Sequence, residues 1–179
     1  MVDNGEMSRE AVAIEASDLV AHARAILQEN HYLTLGTVDA MGHPWTTPVY
    51  FSAAGLGDFI WVSLTDAEHS RHLAVRPQVS LVVFDSTVPA YHGRAVYAAG
   101  SASELAGSEL DAALQIYPGP VERGGSPLTL DDVTGPSPYR LYRAIASDLW
   151  VLCPRSPRQP CPLHGISQDH RTAVPLNDA

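Results

Sequence analysis

The chain contains no lysine; all eleven of its basic residues are arginine. Schiff-base catalysis at a lysine is therefore excluded. Any anion must be held by Arg, His, hydroxyls or backbone N–H groups. Cysteine is nearly absent, with only Cys153 and Cys161, too few for a disulfide framework. Positive charge is also short. Twenty acidic residues leave a net charge of −9, which argues against a nucleic-acid backbone as partner, since such binding needs a basic face. No apolar run approaches the roughly eighteen residues that a membrane-spanning helix needs. The opening MVDNGEMSREAV lacks the basic start and apolar stretch of a secretory signal, so the chain reads as cytoplasmic. Neither a G-x-G-x-x-G loop, a nucleophile elbow nor a Ser-His-Asp pattern occurs.

What is present suits one globular domain. The chain has 179 residues and is 45% hydrophobic, enough for a real core. Residues 1–14 read as a flexible N-terminal tail, and 15–179 as a single domain ending in an irregular, proline-rich segment, 153–179. Ser17-Asp18 offers an N-cap, and Leu19, Val20, Ala23, Ile26 and Leu27 follow at helical spacing to about Asn30. His22 borders that apolar stripe as a core-edge histidine.

From His31 the period changes to two. HYLTLGTV, PWTTPVYF and FIWVSLT are strands separated by the turns DAMGH and SAAGLGD. Pro48 lies within the second strand and demands an edge or a bulge, because it has no N–H for the ladder. Asp66 is expected to cap a short helix to about Arg76, and Pro77 then opens the strand QVSLVVFDS. That strand is apolar on both faces and should be covered on both. RAVYAAGSASEL is a fifth strand, SELDAALQIY a helix with Ser108 as its N-cap, and YRLYRAIASDLWVL a long closing strand. Between the last two, residues 118–138 form a loop rich in Gly, Pro and Asp. Six strands with tight turns imply a mainly β, antiparallel barrel with peripheral helices. An edge strand and a strand needing cover on both faces imply a homodimer.

The basic groups of this acidic chain crowd into LTDAEHSRHLAVRP, Leu64 to Pro77. Arg71 can offer a bidentate contact. Ser63, Thr65 and Ser70 offer hydroxyls, and His69 a ring N–H. A helix start at Asp66 would add backbone N–H groups. These residues can grip a phosphate. Asp66 and Glu68 compete for the same charge, and a solvated amphipathic helix is the alternative.

The ordered pieces LTLGTVDAMGHPWTTPVYF, FIWVSLTDAEHSRHLAVRPQVSLVVF, GSASEL and LWVL…DHRTAVPL resemble the FMN-binding split-barrel proteins. This broad group includes pyridoxamine 5′-phosphate oxidase and many flavin reductases. The resemblance spans roughly residues 17–176. It implies a six-stranded antiparallel split β-barrel and an FMN-dependent oxidoreductase acting on a small molecule from a homodimer. By position it implies that Thr47, Pro48 and Val49 lie along the flavin ring, and that Val62, Ser63, His69, Ser70 and Arg71 hold the ribityl phosphate. His69 stands where the family commonly has a lysine. Trp150 and Arg171 would be contributed by the partner subunit. No side chain is implied as a general base, so no catalytic residue is assigned.

The departures from true pyridoxamine phosphate oxidases are specific. Ser52 occupies the place of a lysine, SELDAALQIY lacks the Tyr/Arg/Ser set for a substrate phosphate, and the closing motif is reduced to Asp169-His170-Arg171. Vitamin B6 oxidation is therefore not the expected activity. A deazaflavin with an anionic tail is the alternative cofactor, and the net charge of −9 favours FMN over it. A non-enzymatic flavin or haem carrier is a second class of reading. Cys153, Cys161, His164 and His170 are spaced C-x7-C-x2-H-x5-H. This matches no standard zinc knuckle, so the tail is read as packing on the barrel without a metal, with a structural zinc module as the third alternative.

Overall fold

The computed structural model describes residues 16–176; the expected tail, 1–14, lies outside them. Helix α1 (Ala16–Glu29) buries Leu19, Ala23, Ile26 and Leu27. These positions recur every three to four residues and form one stripe. Because the helix starts at Ala16, Ser17 and Asp18 sit in its first turn rather than at an N-cap. The Asn30 side chain closes the other end by donating to the Ile26 carbonyl at 2.8 Å.

The strands are β1 (Tyr32–Val38), β2 (Pro44–Tyr50), β3 (Ser52–Ala54), β4 (Asp58–Leu64), β5 (Gln78–Phe84), β6 (Ala95–Glu104), β7 (Tyr139–Leu152) and β8 (Arg171–Ala173). They form one antiparallel sheet in the order β2-β1-β5-β6-β7-β4-β3, with β8 added along β7. It curls into a mainly β half-barrel. All six expected strands are present. The other two are three-residue additions, one inside the expected SAAGLGD turn and one in the expected irregular tail. β2 is an edge strand, as Pro48 requires.

Alternation decides which face is inside. Leu33 and Leu35 of β1, Val79, Leu81 and Val83 of β5, and Phe59 and Trp61 of β4 all join one core cluster with α1. A smaller cluster around Ile60, Leu110, Val133 and Leu141 covers the opposite face of β4, beneath the loop 118–138. At the junction of β6 and β7 the register shifts between Ala99 and Gly100. A Cβ on Gly100 would lie 2.1 Å from the Ile145 carbonyl oxygen, so only glycine permits this close approach.

Within the described chain β5 is covered on one face, with Ser80 exposed, Val82 half-buried and Phe84 51% exposed on the other. Two expectations are corrected. Helix α2 (Glu68–Leu73) is preceded by Ala67, not by a capping Asp66. The Ala67 N–H is bonded to the Leu64 carbonyl, which turns the chain before the helix can begin. Helix α3 (Gly107–Leu114) has Ala106 rather than Ser108 as its N-cap. Here β6 and the Leu105 N–H bond to the Leu141 carbonyl deliver the chain to the helix two residues earlier.

Candidate functional site

The turn between β4 and α2 carries the residues singled out for an anion. Ser63 is the last inward-facing residue of β4, and α2 packs against β1, β2 and β6. Two buried hydrogen bonds hold the helix in place. His69 Nε2 meets Ser63 Oγ at 2.7 Å, and His72 Nδ1 meets Thr37 Oγ1 of β1 at 3.0 Å. His72 Nε2 also lies 3.4 Å from Glu68 Oε1. His69 thus belongs to the foundation of the site, since its Nε2 is already engaged. The role expected of a helix start falls away. α2 has only six residues, and Glu68 occupies its first turn.

Above this foundation lies a cleft of about 360 Å³ lined by Thr65, Ser70, Arg71, Ser103, Glu104 and Tyr142, among others. Ser70 is 4% exposed, and its buried Oγ makes no hydrogen bond of standard geometry. Burial pushes the neighbouring Tyr142 phenol above its usual range, and the Ser70 hydroxyl pulls it partly back. The Arg71 side chain is 54% exposed, paired with the Glu68 carboxylate and donating to the Asp66 carbonyl. Glu104 is within 3.4 Å of Arg140 Nε. The sequence had named Thr65, Ser70 and Arg71. Ser103, Glu104 and Tyr142 come from β6 and β7, and no local spacing could attach them to α2.

The other expected residues divide into two groups. Thr47 is half-buried and its Oγ1 accepts from Trp45 Nε1 at 2.7 Å; Pro48 is exposed on the outer face, opposite Thr34. The Val49 side chain is buried in the core at 6% exposure, so only its backbone could face a ligand. Val62 packs, half-buried, against the Ile60 cluster. Trp150 and Arg171 are brought together elsewhere, on the outer surface of β6, β7 and β8. There the Arg171 guanidinium lies 5.2 Å from the Tyr97 ring centroid and 5.7 Å from that of Trp150. They share no lining with the α2 cleft in one chain. Another pocket, of about 410 Å³, lies between the end of α1, β3 and residues 119–123, and likewise shares no lining residue with the α2 cleft.

Burial lowers the pKa of His69, and the charge of His72 lowers it further. Burial and Arg94 do the same to His22, against an opposing effect of Glu29. A histidine with a depressed folded pKa holds its proton less tightly when folded than when unfolded. Its contribution is fully present above the unfolded value of about 6.5 and is lost as pH falls below it. Urea midpoints should therefore drop between pH 7.5 and pH 5.5, above the carboxylate range. His69→Gln should reduce that drop, and a midpoint constant over this interval in the parent chain would contradict the assignment.

The model of the family described as pyridoxamine 5′-phosphate oxidase matches residues 19–144. A haem-binding protein from Mycobacterium smegmatis superposes with a TM-score of 0.61 at 20% identity, covering 90% of this chain and 59% of that one. The chain thus spans about three-fifths of the mycobacterial protein's length. A haem storage protein from Vibrio cholerae gives 0.55 at 24% identity, over 74% and 94% of the two chains. A Listeria innocua structure named as a candidate pyridoxamine 5′-phosphate oxidase gives 0.55 at 15%, over 75% and 98%. These likenesses show the split-barrel fold. No functionally curated protein matches the chain. Among the described residues no helix is long and apolar enough to cross a membrane.

Proposed function

The chain belongs to the pyridoxamine 5′-phosphate oxidase family, and from that premise we propose that it is a homodimeric, FMN-binding oxidoreductase of a small molecule. The observation that carries the reading is the cleft on which the buried Ser70 hydroxyl, Arg71 and Thr65 converge. The neighbour of the Ser70 hydroxyl within the chain is the Tyr142 phenol, and a phosphate oxygen would accept from that hydroxyl more strongly. Arg71 can exchange Glu68 for a dianion, because an exposed ion pair of this kind is worth only about 1 kcal/mol or less, and charge-assisted bidentate bonds are stronger. The Ser63–His69 bond keeps Ser70 and Arg71 fixed on α2 while this happens.

Thr47, Pro48, the backbone of Val49, and Val62 would hold the ring system. Trp150 and Arg171 would be contributed by the partner. The bound flavin supplies hydride or electron transfer; the chain's residues bind, orient and exclude water. The net charge of −9 gives little help to a deazaflavin with a longer anionic tail, so FMN is the cofactor proposed. The dimer reading draws support from the outer sheet face, where Pro48 and Phe84 are exposed and Thr34 and Val82 half-buried among the described residues. Two unbridged thiols suit a reducing compartment, and the cytoplasm is proposed as its location. A second reading, haem binding without turnover, is favoured by the names borne by the Mycobacterium and Vibrio neighbours.

Spectroscopy of the purified protein separates the two. A flavin spectrum bleached by reduced nicotinamide supports the enzyme; a Soret band supports the haem reading. Arg71→Ala should weaken FMN binding by about tenfold or more, the value of a hydrogen bond to a charged group. Ser70→Ala should also weaken it while costing the cofactor-free protein only about 1 kcal/mol or less, since the contact with the Tyr142 phenol is all that is lost there. Unchanged FMN affinity in both variants would remove the α2 cleft from the site.

A further inference from the structure

We propose that Cys153, Cys161, His164 and His170 form a structural zinc site that pins the C-terminal segment to the barrel. Their ligand atoms all lie within 4.8 Å of one another. Cys153 Sγ is 3.1 Å from Cys161 Sγ and 3.6 Å from His164 Nδ1; Cys161 Sγ is 3.7 Å from His164 Nδ1, and His164 Nδ1 is 3.1 Å from His170 Nε2. Zinc at about 2.3 Å from sulfur and about 2.0 Å from nitrogen, with tetrahedral angles, sets such separations at about 3.3–3.8 Å. Spreading the two sulfurs and drawing the His170 ring inward, where the ligand atoms now span up to 4.8 Å, would complete the tetrahedron. A disulfide would need the sulfurs at about 2.05 Å and would give no reason for two imidazoles to converge on the same point.

The backbone builds this arrangement from two directions. Register pairs Leu152 of β7 with Arg171 of β8, and the Cys153 N–H donates to the His170 carbonyl at 3.0 Å. The end of one ladder thus brings together two ligands seventeen positions apart. The other two sit on a tight turn, where the Gly165 N–H donates to the Cys161 carbonyl at 2.7 Å and Gly165 adopts a φ of 68°.

The ring nitrogens are sorted as a metal requires. His170 Nδ1 is 3.0 Å from the Gln168 carbonyl. An N–H there fixes the tautomer and leaves Nε2 as the ligand atom. Both cysteines are buried, at 4% and 1% exposure, beneath the more open histidines. Arg155 closes the loop outside the site by binding Asp169 at 2.6 Å. Two thiolates and two imidazoles select a soft or borderline cation. Four protein ligands leave no open position for substrate, which makes the site structural rather than catalytic.

The test is metal analysis of the full-length protein purified after growth with added zinc. One zinc per chain is expected, and Cys161→Ser and His164→Ala should each abolish it. Cobalt exchanged into the wild-type protein should give the intense visible bands and the thiolate charge transfer of a tetrahedral site. Stripping the zinc with a chelator should speed tryptic cleavage after Arg155 and Arg158 by about tenfold or more. Should either variant fail to fold, metal content and cobalt spectrum of the wild-type protein still decide. Wild-type protein that takes up no zinc, binds cobalt without a thiolate band, or carries a Cys153–Cys161 disulfide after zinc loading would overturn the proposal.

Discussion

Trp61→Ala should destabilise the protein by about 4 kcal/mol, the typical loss for deleting a large buried aromatic. The melting midpoint should fall by roughly 10 °C for a domain of this size. Trp61 is fully buried at the centre of β4. Its ring stacks on Tyr142 of β7 at 5.9 Å between centroids, with an interplanar angle of 15°. Register places the two residues directly opposite each other, so truncation leaves a cavity bounded by rigid strands that cannot collapse into it. The indole Nε1 is buried without a hydrogen-bond partner. Trp61→Phe therefore loses no bond and leaves a smaller cavity, so it should cost less than Trp61→Ala. Thermal denaturation of both variants checks this. A small loss in Trp61→Ala would show that the barrel repacks. Its complete burial makes Trp61 a core residue rather than a flank for a ring ligand.

Arg123→Ala should cost about 3 kcal/mol, at the upper end for hydrogen bonds made by a charged group. Arg123 stands on a short 3-10 turn, Val121–Arg123, in the loop after α3. Its Nη1 donates to the carbonyls of Leu27 and Gln28 at 3.3 and 2.9 Å, and its Nη2 to those of Asn30 and Phe51 at 2.9 Å each. Leu27 and Gln28 belong to the last turn of α1, whose carbonyls have no partner within the helix. One guanidinium therefore caps a helix and ties it to the strand region and the loop. It also lies 5.2 Å from the centre of the Phe51 ring. Arg123→Lys should recover little, since a single ammonium cannot reach both pairs of carbonyls. Hydrogen exchange should quicken at 27–30 and 119–125 in either variant, and slow exchange retained there would refute the role.

Much of the barrel could be read from residue alternation. Leu33 and Leu35 fall on one side of their strand by period alone, and Pro48 alone declared an edge, whereas QVSLVVFDS, apolar on both faces, left open which face turns inward. Strands β3 and β8 escaped because three residues are too few to show a period. The helix caps assigned to Asp66 and Ser108 failed for a different reason. A cap depends on where the preceding strand releases the chain, which neighbouring strands decide. At the candidate site the α2 residues could be named, because the motif is contiguous. Ser103, Glu104 and Tyr142 could not, and neither could the pairing of Arg71 with Glu68 be weighed against other partners.

The sequence by itself determined the faces of the alternating strands, the absence of lysine chemistry and the segment that carries Ser70 and Arg71. These follow from side-chain type and local spacing, which the chain carries along its length. Only the tertiary structure decided that two cysteines and two histidines meet at one point, and that Arg123 locks α1. In both cases the groups are joined by pairing between distant strands and loops, and sequence separation holds no record of that distance in space.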